Sequence, residues 1–403
     1  MDLHVTFDPF SREFYDDPRA IYDHLIEHDP VSWNEEHGFW TLVRWDDVAD
    51  ASKDWATFSS SYGITVEQIV AHRQVDMESL IMIDPPRHDR LRSLVSRVFT
   101  PRAVGGLEPM VREVIAEYFD ALGDRTAFDV VQDVSGPFPV EIISRMLGVP
   151  APDRQQLRHW LDISLTRGEG ERQASQVAME AMFSFAAYCF ELCASKRASL
   201  AAGRAAEDMI DGLIEAEYRD DEGELHRLDD MEIAGFATLL GGAGAETVTK
   251  LVGNATVDFS RNPDQWQLVL DDRSRIPGAV EEILRYHPPS QYQGRYAVKD
   301  WTRHGVTIPA GSPVLLVTGA ATRDRRAYED PERFDITREP KLALGFGYGV
   351  HSCLGAALAR MESRIAIEEL ADRYPSFHVV EDGLRRVQMS NVAGYSNVPV
   401  EID

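Results

Sequence analysis

The sequence predicts a mainly α-helical protein with a small β region, folded as a single domain over residues 1–403. Long stretches of helical apolar periodicity fill the body of the chain, while β-branched and aromatic runs are confined to two short regions. No Gly/Ser-rich tract and no repeat of fixed period divides the chain. In order, "VSWNEEHGFWTLVRW" (31–45) sets two such runs around a Gly-containing turn and reads as a hairpin. "HDRLRSLVSRVF" (88–99) places Leu91, Val95, Val98 and Phe99 on one helical stripe that stops before Thr100-Pro101. Residues 173–201 form a long helix whose apolar side is expected to carry Met179, Met182, Phe183, Ala186 and Phe190. Asp229 or Asp230 can cap a helix running to about Ser260, with an expected break at "GGAGAET" (241–247). A shorter helix starts at Pro277 and ends before Pro288-Pro289. A β-rich stretch with an "IPAG" turn follows (295–318), and the last helix begins one residue after Cys353.

Charge and cysteine usage narrow the function. With 41 Lys+Arg against 67 Asp+Glu the net charge is −26, which repels nucleic-acid backbones and anionic lipid, so neither is an expected partner. Three cysteines cannot build a disulfide framework, and "MDLHVTFDPF" lacks the basic and apolar regions of a signal peptide. No apolar run suggests a membrane anchor, so a soluble cytoplasmic protein is expected.

The densest chemistry lies in "FGYGVHSCLG" (346–355). A thiolate, not a thiol, ligates metals, and the amide dipoles at a helix N-terminus favour its charge. Gly347, Gly349 and Gly355 would let the backbone turn tightly and approach a flat group. A buried apolar thiol is one alternative. A zinc site with His351 is another, but Cys189 and Cys193 lie far off in a helical stretch and read as core thiols. "EEILR" places Glu282 and Arg285 three apart on one helical face, and "DPPRHDRLR" puts His88 and Arg92 at i, i+4. The glycines of "GGAGAET" weaken a helix by about 1 kcal/mol each, which either close helix packing or a functional need for space would explain.

"FGYGVHSCLG" resembles the haem-binding loop of the cytochromes P-450, and four further stretches follow in that family's order, so the resemblance spans essentially the whole chain. It is most similar to soluble actinobacterial members. The resemblance implies haem b between the central helix and the cysteine loop, with Cys353 as the axial iron ligand and Phe346, Gly347, Gly355 and Ala243 around the ring. His88, Arg92, Arg295 and His351 would receive the propionates, because buried carboxylates need cationic partners. Glu282 and Arg285 would join Arg333 of "DPERF" in a structural charge network. Gly242, Ala243 and Gly244 would leave room above the iron, and Glu246-Thr247 matches the family's proton-handling acid–threonine pair. Leu239, Gly242, Gln291 and Val392 would line the substrate pocket, with variable segments near 60–85 and 160–185. The implied reaction inserts one atom of O2 into a lipophilic molecule such as a steroid, terpenoid, fatty acid or macrolide. Electrons would come from an iron–sulfur ferredoxin with a separate NAD(P)H-dependent reductase, docking near Arg360, Arg364, Arg90 and Arg97. Peroxide-driven chemistry, a non-oxygenase rearrangement, or a non-enzymatic haem sensor or carrier are the alternatives.

Overall fold

A computed structural model describes residues 5–402 apart from 76–78, 168–170, 172, 220–222, 340, 343, 388 and 390. The central helix, Asp230–Arg261, organises the helical body: nearly every side chain from Val248 to Phe259 is buried. Asp229 caps it, accepting from the Glu232 amide while the Glu232 carboxylate accepts from the Asp229 amide, a reciprocal pairing that satisfies two orphan donors of the first turn. Around it pack Pro137–Leu147, Arg154–Leu165, Gln176–Ala201, Ile276–Tyr286 and Ala356–Arg373, and Pro101–Asp120 packs on the first and last of these. The anticipated 88–99 helix is Arg87–Val95 continued as a 3₁₀ turn through Phe99.

The β region lies to one side. Val31–Asn34 and Phe39–Leu42 form the expected hairpin, and Phe39–Leu42 pairs in parallel with Ser312–Leu316, Trp40 facing Val314. Gln293–Ala297 extends the sheet antiparallel, placing Arg295 opposite Val314, and Phe58–Ser59 closes it. Gly294 is required there, since a Cβ would stand 2.7 Å from the Ile64 carbonyl carbon. A separate sheet joins Ala127–Asp129, Pro399–Ile402 and Phe377–Val379.

Three expectations about the helices are corrected. The 176–201 helix turns Ala178, Ala181, Phe185, Cys189 and Cys193 into the core, whereas Met179, Met182, Phe183 and Phe190 are exposed, Phe183 by 72%. This helix is apolar all round, so periodicity could not select its buried face. Among the described residues it is also the one helix long and apolar enough to cross a membrane by length and composition, contrary to the sequence-based expectation. The central helix, in turn, runs unbroken through 241–247. Gly241 serves close packing: a Cβ there would lie 2.5 Å from the Phe185 ring. Added Cβ atoms at Gly242 and Gly244 would make only ordinary contacts, at 3.5 and 3.7 Å.

Candidate active site

The cysteine loop is set by two left-handed glycines. Gly347 has φ +69° and Gly349 φ +74°, and a Cβ on Gly349 would come within 2.5 Å of the Ser52 carbonyl oxygen, so only glycine fits. The Cys353 amide donates to the Phe346 carbonyl at 2.7 Å, which folds the loop back before Ala356 starts the final helix. Cys353 is accessible, whereas Cys189 and Cys193 are buried. Burial pushes those two thiols up to about 11 and about 12. Burial also raises the Cys353 thiol, but the Gly355 amide, Arg92 and Arg360 oppose that shift by favouring the thiolate. Among the described residues no three His, Cys, Asp or Glu side chains are placed to share a metal.

Four basic side chains converge beside this loop. His88 is fully buried and its Nδ1 lies 2.9 Å from Asp89, while its Nε2 has no hydrogen-bond partner. His351 stands against it, ring centroids 4.4 Å apart, and its Nε2 is likewise buried and orphaned. Burial holds the His351 imidazole down to about 2, with Arg295, His88 and Arg92 adding repulsion. Burial also depresses Arg295 to about 10, and Asp84 offsets part of the loss. Arg92 donates to the Ser352 carbonyl at 2.6 Å, tying the 87–95 helix to the loop. Two orphaned imidazole nitrogens beside two arginines, His88 and Arg295 buried and Arg92 and His351 partly so, form a donor cluster whose chemistry suits a pair of carboxylates. With an accessible thiol next to it, the donor set fits a haem carrying two propionates. Phe346, half-buried, packs in the same loop under Arg360, whose guanidinium lies 4.5 Å from the ring centre.

On the central helix Leu239, Ala243 and Thr247 recur at i, i+4 and i+8, so they share one face, and Ala243 is exposed in mid-helix. The Thr247 hydroxyl donates to the Ala243 carbonyl at 2.9 Å, closing the helix where a break was expected. Glu246 is buried, and Lys250 Nζ lies 3.0 Å from its Oε2 with both side chains under one-tenth exposed. Lys250 was missed at the sequence level, although its i+4 spacing from Glu246 was there to be read.

The charge network is present with one substitution of partner. Glu282 accepts from Arg285 Nε and Nη2, both at 2.7 Å, and from the Asp335 amide at 2.9 Å. The third cation is Arg338, whose Nε stands 3.5 Å from Glu282, not Arg333. The Arg333 side chain is 61% exposed and contributes only its main-chain carbonyl to Arg285. The turn at 330–335 points that side chain outward, and the chain folds back on the helix five residues later.

Gln291 is buried with both ends of its amide hydrogen-bonded. Its amide oxygen accepts from the Tyr22 hydroxyl at 2.8 Å and its nitrogen donates to the Pro288 carbonyl at 2.6 Å. Val392 bridges Ser290 across the same crossing strands. Arg360 pairs with Glu281, and Arg364 with Glu108 and Glu368. The variable segments at 60–85 and 160–185 lie partly outside the described residues.

Comparison with known proteins matches the cytochrome P450 family model over residues 140–385. Cytochrome P450 130 of Mycobacterium tuberculosis is 37% identical over 382 residues, covering 92% of this chain and 91% of that protein. Erythromycin C-12 hydroxylase of Saccharopolyspora erythraea is 36% identical over 394 residues, 95% of each chain. Among solved structures, CYP109E1 of Bacillus megaterium in complex with testosterone superposes with TM-score 0.86 at 32% identity, covering 98% of this chain and 100% of that one. A mutant of P450 EryK in complex with erythromycin B gives TM-score 0.85 at 34% identity, covering 96% and 97%. Matched end to end in sequence and in fold, the chain belongs to the cytochrome P450 family of monooxygenases.

Proposed function

We propose that the protein binds haem b and hydroxylates a rigid, lipophilic molecule of the steroid or macrolide type, using O2 and electrons from an iron–sulfur ferredoxin with its own reductase. The observation that carries this reading is one accessible thiol at a helix N-terminus beside an anion-demanding cluster of four basic side chains. Relatives named for erythromycin hydroxylation or crystallised with testosterone support the substrate class. When bound, haem supplies dioxygen activation and oxygen transfer, and the protein supplies binding, orientation and protons.

Cys353 would be the iron ligand, its charge favoured by the Gly355 amide and by Arg92 and Arg360. His88, His351, Arg92 and Arg295 would fix the propionates. Leu239, Gly242 and Ala243 would leave an apolar space for substrate, with Val392 at its wall. Thr247 Oγ, donating to Ala243 at rest, retains acceptor lone pairs, and rotation of its O–H would present a proton at the site. Glu246 would resupply that proton.

The test is turnover with a bacterial ferredoxin, its reductase and NAD(P)H against a steroid and macrolide library under isotopically labelled dioxygen. Product carrying one labelled oxygen is expected, and Cys353→Ser should abolish it. Product formed without reductant, or without label, would overturn the proposal.

A further inference from the structure

Helix 154–165 sends one acidic side chain to the central helix beside the acid–threonine pair. Leu161 on that helix lies against Gly242, one turn before Glu246, and the next residue, Asp162, is close enough for Glu246 to raise its carboxyl. Its other edge meets solvent, the side chain being 48% exposed, while Glu246 is only 8% exposed. The charged groups facing Asp162 are Arg158, with Nε 3.6 Å from Oδ2 one turn earlier on its own helix, and Glu246 and Lys250 on the central helix. Asp162 thus stands on the solvent side of Glu246, which precedes Thr247 in the central helix.

We infer that Asp162 is the solvent-side member of the proton path, taking a proton from water and passing it to Glu246, which Lys250 holds in place. This rests on the acid–threonine reading given above, and both Asp162 and Lys250 are positioning residues that act through Glu246. In the step, the Asp162 O–H bond breaks as a Glu246 O–H bond forms, and a hydronium ion from bulk water then reprotonates Asp162; no electron moves. Two adjacent carboxyls disfavour double ionisation. Lys250 Nζ stands 3.0 Å from Glu246, and of the two carboxyls it is Asp162 that burial and its neighbour hold up. Burial and the Glu246 contact raise the Asp162 carboxyl to about 7, which leaves it loaded below neutral pH and emptying above it.

The test uses the intact holoenzyme with carbon-13 carboxyl-labelled aspartate and, separately, steady-state turnover across pH. A carboxyl titrating near neutrality is expected in the resting protein, lost in Asp162→Asn and moved downward in Glu246→Gln, with the part of the shift due to burial remaining. Turnover should fall as pH rises through neutrality. Asp162→Asn should lower the rate roughly 10-fold or more, remove that limb and enlarge the solvent isotope effect. The substrate-induced spin shift should be unchanged, and Asp162→Glu should restore the limb. The proposal is overturned if no neutral carboxyl titrates, if Glu246→Gln leaves its titration in place, or if Asp162→Asn keeps the wild-type pH profile while Glu246→Gln is slow. Unchanged turnover in both Glu246→Gln and Thr247→Ala would instead sink the acid–threonine reading.

Discussion

Replacing Glu282 with Gln tests the charge network most directly. Glu282 and Arg285 are 3% and 5% exposed at the side chain, and Glu282 accepts two bonds of 2.7 Å from Arg285. Removing the anion leaves a buried guanidinium without its counter-charge, which costs about 3–5 kcal/mol. An unfolding entropy of about 2.1 cal/mol/K per residue gives roughly 0.8 kcal/mol/K for this chain, so the melting midpoint should fall by about 4–6 °C. Arg338→Met removes the 3.5 Å ion pair with Glu282 together with the guanidinium's hydrogen bonds to the Glu329 and Asp330 carbonyls, about 1.5–3 kcal/mol, and should lower it by about 2–4 °C. Arg333→Met, at a mostly exposed side chain, should shift it by less than about 1 °C. The assay is circular-dichroism melting at one scan rate, on samples matched for haem content. If Arg333→Met falls as far as Arg338→Met, the assignment of the third cation is wrong. If Glu282→Gln moves the midpoint by less than 1 °C, the pair is not structural.

Thr247→Ala should preserve substrate binding and NADH consumption but lower the ratio of product to NADH, with the difference recovered as hydrogen peroxide; an unchanged ratio would exonerate the hydroxyl. Gly241→Ala gains up to about 1 kcal/mol of helix propensity but forces a Cβ to 2.5 Å from the Phe185 ring, an overpacking cost of about 1–3 kcal/mol. Urea unfolding should show net destabilisation of up to about 2 kcal/mol, relieved in the Gly241→Ala/Phe185→Leu double variant, and additive effects would mean that the two residues do not compete for space. Cys189 and Cys193, buried with thiols raised to about 11 and about 12, should resist iodoacetamide at mildly alkaline pH until urea is added; mass spectrometry detecting either adduct in the folded protein would contradict the packing.

Much of the site was legible because its residues sit at fixed short spacings. The cysteine loop, the Glu282/Arg285 pair and the 229–232 cap each lie within ten consecutive residues, and local geometry settles them. Features set by tertiary packing were not. Nothing local distinguishes Arg333 from Arg338, since the difference arises where the chain folds back on the 276–286 helix. The apolar side of the 176–201 helix was misassigned because Ala178, Ala181 and Phe185 are chosen by the groove they enter, with Gly241 opposite. The same contact accounts for one glycine of "GGAGAET", so its composition mixed a packing demand with a functional one. The partner of Gln291 was not legible for a similar reason: Tyr22 stands 269 positions earlier.

The parallel pairing of Trp40 with Val314 joins positions 274 residues apart. At about 5–20 residues per second, a ribosome extends the chain for roughly 14–55 s between making the first of these strands and the second. Throughout that interval the 39–42 strand has an open edge where its neighbour will lie, the arrangement most prone to pairing with the wrong chain. The cysteine loop, wedged against Ser52, emerges later still. Cofactor loading would therefore wait until long after the hairpin is made, and holdase chaperones that shield this hairpin should raise haem-loaded yield more than added haem precursor does.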